Sequence, residues 1–304
     1  MRVSDFSCIA VWTMRNITSQ FPSHNTVCVD GISSYPVMKV IILSIYFPVF
    51  RLSAEPGKGF TSVTYSQVAF REPESRADQT RLMGIVTTGP ETGYYVDVFR
   101  SRKERGGDKM HDYFYHNLGQ TMTLTAADGT DLNLQPTEEL AFAGAHLYAY
   151  SYLYDKKVAT TGQDVKVTFT IDMKDKGGDD ISMNLWMKGE PEREVFTALS
   201  PMTEGLSRTP HMPYNIKEQP TLTFVARQHG EAWNRPFVAV YEPSTQKEPS
   251  AIQSVSYFDA EEPGLKDLPV SVWKVNGVLT IFLLTDSSQT STIRNEVKRT
   301  MPNQ

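Results

Sequence analysis

Alternation of apolar and polar positions runs through most of this chain. In Val165-Lys-Val-Thr-Phe-Thr-Ile171, Val165, Val167, Phe169 and Ile171 fall on one face of an extended backbone, and Lys166, Thr168 and Thr170 fall on the other. That is the pattern of a strand with one face on a core. Similar runs predict strands at 26–29, 62–70, 94–100, 146–154, 181–187, 221–227, 237–241, 252–258, 270–275 and 278–284. The apolar stretch at 40–50, interrupted by Ser44 and Pro48, reads as a further buried strand. Asn276-Gly277 between Val275 and Val278 signals a tight hairpin, and Asp128-Gly129 and Lys176-Gly-Gly-Asp179 punctuate other runs. The polar or Pro/Gly-bearing segments 72–78, 102–109 and 204–219 read as loops. No stretch of a dozen residues carries the period of an amphipathic helix, and no internal repeat occurs. The pattern predicts an all-β fold, a large antiparallel β-sandwich.

Composition narrows the function classes. The chain has 304 residues, 40% hydrophobic and 11% aromatic, enough to bury a sizeable core and to exclude a disordered segment. Its net charge of −5 and the lack of a basic stripe argue against a nucleic-acid partner, although a local basic cleft on an acidic protein stays compatible with a polyanion. The two cysteines, Cys8 and Cys28, make neither a disulfide framework nor a metal cluster and read as small apolar residues. The longest apolar run is too short to span a bilayer and no signal peptide is visible, so no membrane partner is expected. There is no GxSxG elbow, no phosphate loop and no HExxH. Asp172, Asp175, Asp179 and Asp180 surround a Gly-Gly turn with spacing unlike a calcium loop, which favours a solvated turn.

Local motifs go further. In order come Pro22-Ser-His-Asn-Thr-Val-Cys-Val-Asp-Gly31, Gly93-Tyr-Tyr-Val-Asp-Val-Phe-Arg-Ser-Arg102, His111-Asp-Tyr-Phe-Tyr-His-Asn-Leu-Gly119, Phe224-Val-Ala-Arg-Gln-His-Gly230 and Phe237-Val-Ala-Val-Tyr-Glu-Pro243. Together these resemble the β-sheet region of the heparinase II/III-like polysaccharide lyases. The resemblance implies a β-sandwich domain at 21–285, preceded by a poorly matching segment at 1–20 and followed by a loose tail at 286–304. It implies a lyase that cleaves uronic-acid-containing polysaccharide, heparan-sulfate-like or alginate-like, by β-elimination in the periplasm or outside the cell. It also implies a helical toroid domain that supplies most catalytic groups and packs on the β region. No such helices are visible in this sequence, so the chain is expected to be incomplete as a catalyst. The competing reading is a non-catalytic carbohydrate-binding or scaffold sandwich. A face that packs on a toroid should be an exposed apolar or aromatic patch.

β-Elimination next to a carboxylate needs donors for the developing enolate charge and a phenol or imidazole to move protons. His111, Tyr113 and His116 are the catalytic candidates on those grounds, with Arg100, Arg102 and Tyr115 as substrate-binding candidates. Strand alternation puts His111, Tyr113 and Tyr115 on one face and Asp112, Phe114 and His116 on the other. Arg100 and Arg102, read as lying on the preceding strand of a hairpin, would pair with Asp112 or with a substrate carboxylate. The same residues are equally suited to a buried inter-strand network, which is the favoured reading. By resemblance, His24 matches a ligand of a structural zinc site, the one cofactor implied; otherwise it is a strand-edge histidine bonded to backbone. His146, His211 and His229 stand alone. Tyr148, Tyr150, Tyr152 and Tyr154 read as one strand face, a core or rim stripe rather than a sugar platform, and Trp186, Trp233 and Trp273 read the same way.

Overall fold

A computed structural model describes residues 21–32, 45–46, 50–51, 63–72, 74–87, 92–103, 105, 107–141, 145–202, 212–213, 215–258, 270–275 and 278–283. The segments 1–20 and 286–304, with Cys8, and also His211, lie outside the described residues. The chain divides into two compact units, Met1–Ser250 and Ala251–Gln304.

The first unit is a sandwich of two antiparallel sheets. Its strands are β1 (Val27–Val29), β2 (Ile45–Tyr46), β3 (Phe50–Arg51), β4 (Val63–Arg71), β5 (Ala77–Thr87), β6 (Gly93–Lys103), β7 (Met110–Asn117) and β8 (Thr121–Ala126). They continue with β9 (Gln135–Pro136), β10 (Tyr154–Thr161), β11 (Val165–Ile171), β12 (Ile181–Met187), β13 (Arg193–Ser200), β14 (Thr221–His229) and β15 (Ala232–Thr245). One sheet has six strands in the order β1-β7-β14-β13-β10-β9. The other has nine, β2-β4-β5-β6-β15-β12-β11-β8 with β3 also on β4. Among the described residues no helix is long and apolar enough to cross a membrane. The second unit contributes a three-stranded antiparallel sheet of β16 (Val255–Phe258), β17 (Val270–Val275) and β18 (Val278–Leu283). There Val275 pairs with Val278 across the Asn-Gly position, whose two residues lie outside the described set.

The core lies between the facing surfaces of the two large sheets. Val165, Val167 and Phe169 of β11 meet Tyr113 of β7, Val195 of β13 and Phe224 and Ala226 of β14 in one apolar cluster. β11 follows the predicted alternation residue by residue. β6 and β15 instead bury both faces, with Val96, Val98 and Val240 as sealed as Phe99 and Phe237.

Two expectations need correction. β6 and β7 do not form a hairpin. β6 pairs with β5 and β15 in the nine-stranded sheet, whereas β7 pairs with β1 and β14 in the six-stranded one. The connection crosses the sandwich and is held by Asp30, at the end of the Val-Asp-Gly motif. Its carboxylate accepts from the backbone N–H of Lys109 (2.9 Å) and Met110 (3.2 Å) and pairs with Lys103 Nζ at 2.6 Å. Burial works against the Asp30 carboxylate, but the Lys103 ammonium and those backbone donors hold it below its usual range.

The tyrosine series at 148–154 is also not a strand face. Ala145–Tyr152 winds as a 3-10 helix and β10 begins only at Tyr154. Ala149 and Leu153 supply apolar positions between the tyrosines, so the alternation is incomplete. The helix lies over the outer face of the six-stranded sheet. There Tyr150 packs edge-on to Phe114 at 5.5 Å, with Leu140, Leu153 and Phe196 alongside.

Candidate functional site: two networks on opposite faces of β7

Strand β7 carries the candidates, and its alternation splits them between two environments. Facing the sandwich interior, the Tyr113 hydroxyl donates to Asp97 Oδ2 on β6 at 2.8 Å. It also touches the Tyr241 hydroxyl of β15. The single Tyr113 proton is committed to Asp97, so Tyr241 must be the donor of that pair. Arg81 of β5 closes the chain on the same carboxylate, with Nε to Oδ1 at 2.9 Å and Nη2 to Oδ2 at 2.7 Å. A further donor, Arg81 Nη1, reaches the carbonyl of Asn25 at 2.7 Å. The order Tyr241, Tyr113, Asp97, Arg81 thus ties three strands of one sheet to β7 and to the Asn25 segment of the other.

Electrostatics fix the protonation of this network. Burial, then Asp97, pushes the Tyr113 phenol well above its ordinary range, and burial with Tyr113 and Asp97 does the same for Tyr241. Tyr115, its ring tilted against Tyr241 at 5.0 Å, is pushed up to about 12, chiefly by burial. Burial opposes the charge on Arg81, but Asp97 beside it holds the guanidinium firmly protonated. These phenols are proton donors near neutral pH and poor bases.

The network sits where the nine-stranded sheet is open. Met83 and Ile85 follow Arg81 on its face of β5, and Tyr95 precedes Asp97 on β6; Ile85 pairs with Tyr95, which in turn pairs with Tyr241. These three side chains are 50%, 47% and 42% exposed, a contiguous apolar and aromatic strip beside Arg81.

On the other face of β7, Asp112 is fully buried and accepts from Arg227 Nε (2.7 Å), Arg227 Nη2 (3.0 Å) and the Tyr150 hydroxyl (2.7 Å). Arg227 also reaches Glu139 at 3.0 Å and lies 5.3 Å over Phe196. Cys28 is buried next to this group, and its thiol is pushed up by burial and then by Asp112.

The partner of Asp112 is therefore Arg227, not Arg100 or Arg102, because β14 places Arg227 directly across from Asp112. Arg100 and Arg102 point to the opposite side of β6 from Asp97, so the structure does not bring them to Tyr113 and Tyr115. Arg100 is buried there; Arg102 is exposed, its guanidinium 4.1 Å over the Trp233 ring.

The histidines are structural in their contacts. His111 is fully buried, with Nε2 3.5 Å from Asp108, and burial lowers its pKa against the pull of Asp108 and Asp30. His116 Nε2 lies 2.7 Å from the Pro22 carbonyl, which can only accept, so that nitrogen carries the proton. Nδ1 then accepts from Thr223 Oγ1 at 2.9 Å. Neither ring nitrogen of His116 is left for a substrate. His24 is exposed, and among the described residues no three His, Cys, Asp or Glu side chains converge as a metal set. His229 pairs with Glu194 at 2.8 Å.

Burial, and more weakly His24, depresses His116 to about 4. A histidine that resists protonation when folded but accepts a proton near 6.5 when unfolded binds more protons in the unfolded state between those values. Stability should therefore fall as pH drops from about 6.5 toward 4, at up to ~1.4 kcal/mol per pH unit for this one group. Denaturant melts across that window should show the slope. His116→Asn should flatten it; an unchanged slope would mean that His116 is hydrated and free to titrate.

No family model matches the chain. Over 228 residues it is 31% identical to an endo-acting ulvan lyase from Formosa agariphila, an alignment that covers 73% of this chain and 26% of that protein. The chain belongs to a polysaccharide lyase family, as a β region. It spans about a quarter of the relative's length. Solved structures are more loosely similar to this lyase β region. Heparinase III, the BT4657 gene product, matches 90% of it with 32% of its own chain at TM-score 0.48 and 13% identity. Heparan sulfate lyase HepC from Pedobacter heparinus matches the same shares at TM-score 0.41 and 11% identity.

Sequence reasoning missed Arg81 because β5 starts within a segment that reads as a loop, and its interior face (Ala77, Gln79, Arg81) carries no apolar stripe. Asp97 and Tyr241 were visible as polar residues inside apolar motifs, a signal of buried pairing that singles out neither partner.

Proposed function

We propose that this chain acts as the β region of a secreted or periplasmic lyase that cleaves acidic, uronate-containing polysaccharide by β-elimination. In this reading it binds substrate and braces the catalytic domain, and does not form a complete catalyst alone. The observation that carries the second half is the state of the candidate groups. Tyr113 is sealed, the tyrosines are held protonated, and His111 and His116 are enclosed. No base of suitable pKa faces solvent among them. Tyr115, Tyr95 and the partly exposed Arg81 are the groups able to meet a sugar chain, with Tyr113 and Asp97 as positioning residues behind them. The adjoining exposed apolar pair, Met83 and Ile85, is the kind of surface on which a helical toroid domain would pack. The length of the ulvan lyase relative supports such a further domain.

Calorimetric titration of the chain with ulvan tests the binding role. Tyr95→Ala, at an exposed position with little cost to folding, should weaken binding by roughly three- to tenfold, the value of about 0.5–1.5 kcal/mol for one aromatic contact. Absence of binding to ulvan, heparan sulfate and alginate alike would sink the reading.

A further inference from the structure

Arg102 and Trp233 lie on the far side of the nine-stranded sheet from the tyrosine network, and the function proposed above makes no use of them. The indole belongs to a bulge. Ala232 pairs with Ser101 and Phe237 with Phe99, and the residues between them are lifted out of register. Glu231 fixes this bulge, its carboxylate accepting from the backbone N–H of Trp233 (2.5 Å) and of Asn234 (2.9 Å), and from Asn234 Nδ2 at 3.3 Å. The ring so presented is partly exposed and carries the Arg102 guanidinium 4.1 Å above its centre. Among the described residues the Arg102 side chain makes no ion pair and no hydrogen bond. Its cross-strand neighbour Asp78 is instead within 3.4 Å of Arg71, which follows in the same row.

An exposed arginine commonly settles on a carboxylate. Here the charge is held by an aromatic face, which restrains the guanidinium and leaves its donor fork to solvent. Arg71, half-exposed beyond Asp78, adds a second guanidinium in line with Arg102. A planar fork presented next to an aromatic edge fits a sugar bearing an oxyanion, either a uronate carboxylate or a sulfate ester. We propose that Arg102 and Trp233, with Arg71, form a secondary binding site for an anionic sugar unit, on the opposite face of the sheet from Arg81 and Tyr115. The inference rests on the acidic-polysaccharide reading and adds to it a second point of attachment for the same polymer.

The test titrates the full chain with three probes: dextran sulfate, polygalacturonate and neutral dextran. The wild type should bind at least one anionic polymer and not the neutral one, and the stronger of the two anions identifies sulfate or carboxylate as the group recognised. Arg102→Gln and Trp233→Leu should each weaken that binding by about tenfold, with melting temperatures close to wild type. Arg102→Lys should recover only part of it, because an ammonium lacks the planar fork. Wild-type affinity in Arg102→Lys would reduce the site to bulk charge and overturn the proposal. Unchanged affinity in Arg102→Gln and Trp233→Leu would overturn it while leaving the polysaccharide reading intact. Failure of the wild type to bind either anionic polymer would overturn both.

Discussion

Asp112→Asn should lower the stability of the first unit by about 3–5 kcal/mol, the cost of stranding a buried charge. The substitution leaves the Arg227 guanidinium, whose two donors now end on Asp112, in an apolar layer formed by Phe114, Phe196 and Val225. It also weakens the acceptor for Tyr150, whose 3-10 helix covers the outer face of the six-stranded sheet. Glu139 offers partial relief because it already contacts Arg227 from the surface. The observed value should therefore sit near the lower end of that range. Thermal unfolding should show a drop of roughly 10 °C at ~2–4 °C per kcal/mol for a unit of this size. Replacing both partners, Asp112→Leu with Arg227→Leu, should be less damaging than Asp112→Asn alone, since no charge is left buried. If the double variant were the worse of the two, the pair would contribute net stability beyond satisfying itself.

Asp97→Asn is expected to have the next largest effect, about 2–4 kcal/mol. Arg81 would lose its bidentate partner, and the amide can return only one acceptor to two donors, the guanidinium and the Tyr113 hydroxyl. The penalty is smaller than at Asp112 because the Arg81 side chain is 22% exposed and partly hydrated. A functional consequence separates this site from the first. Arg81 and Tyr115 lie beside the exposed Tyr95 strip, so Asp97→Asn should weaken ulvan binding even where the protein is still folded, whereas Asp112→Asn should not. Equal loss of binding in both variants would show that the effect follows stability and not the site.

Much of the architecture was legible because one-sided strands announce themselves. β11, β12 and β17 appear where alternation or apolar runs predict them. β5 and β10 were missed because their interior positions are filled by small or polar residues such as Ala77, Gln79 and Ala159, which leave no stripe, whereas β8 and β13 carry apolar interior positions (Met122 and Leu124, Val195 and Leu199) that are legible in the sequence and were overlooked. The hairpin reading of β6 and β7 failed because a Gly-Gly loop marks a reversal without saying which sheet receives the next strand. Asp30, far away in sequence, helps to fix that crossing, together with Asp108 inside the loop, which accepts from the Lys103 backbone N–H. The site was legible as motifs but not as pairs. Asp97, Asp112 and Tyr241 stood out as polar residues in apolar strands, yet their partners Arg81, Arg227 and Tyr113 are set by sheet order and by packing across the sandwich. The tyrosines at 148–154 misled because a short helix can carry a tyrosine at every second position, here with Ala149, Ser151 and Leu153 between them.

The most direct test of the account is to incubate the folded chain with ulvan and follow both binding and the ultraviolet absorbance of unsaturated uronate ends. The account predicts that the chain binds and that absorbance does not rise, since its phenols are held protonated and its histidines are enclosed. A steady rise that disappears in a folded Tyr113→Phe variant would contradict it and establish the β region as a catalyst in its own right.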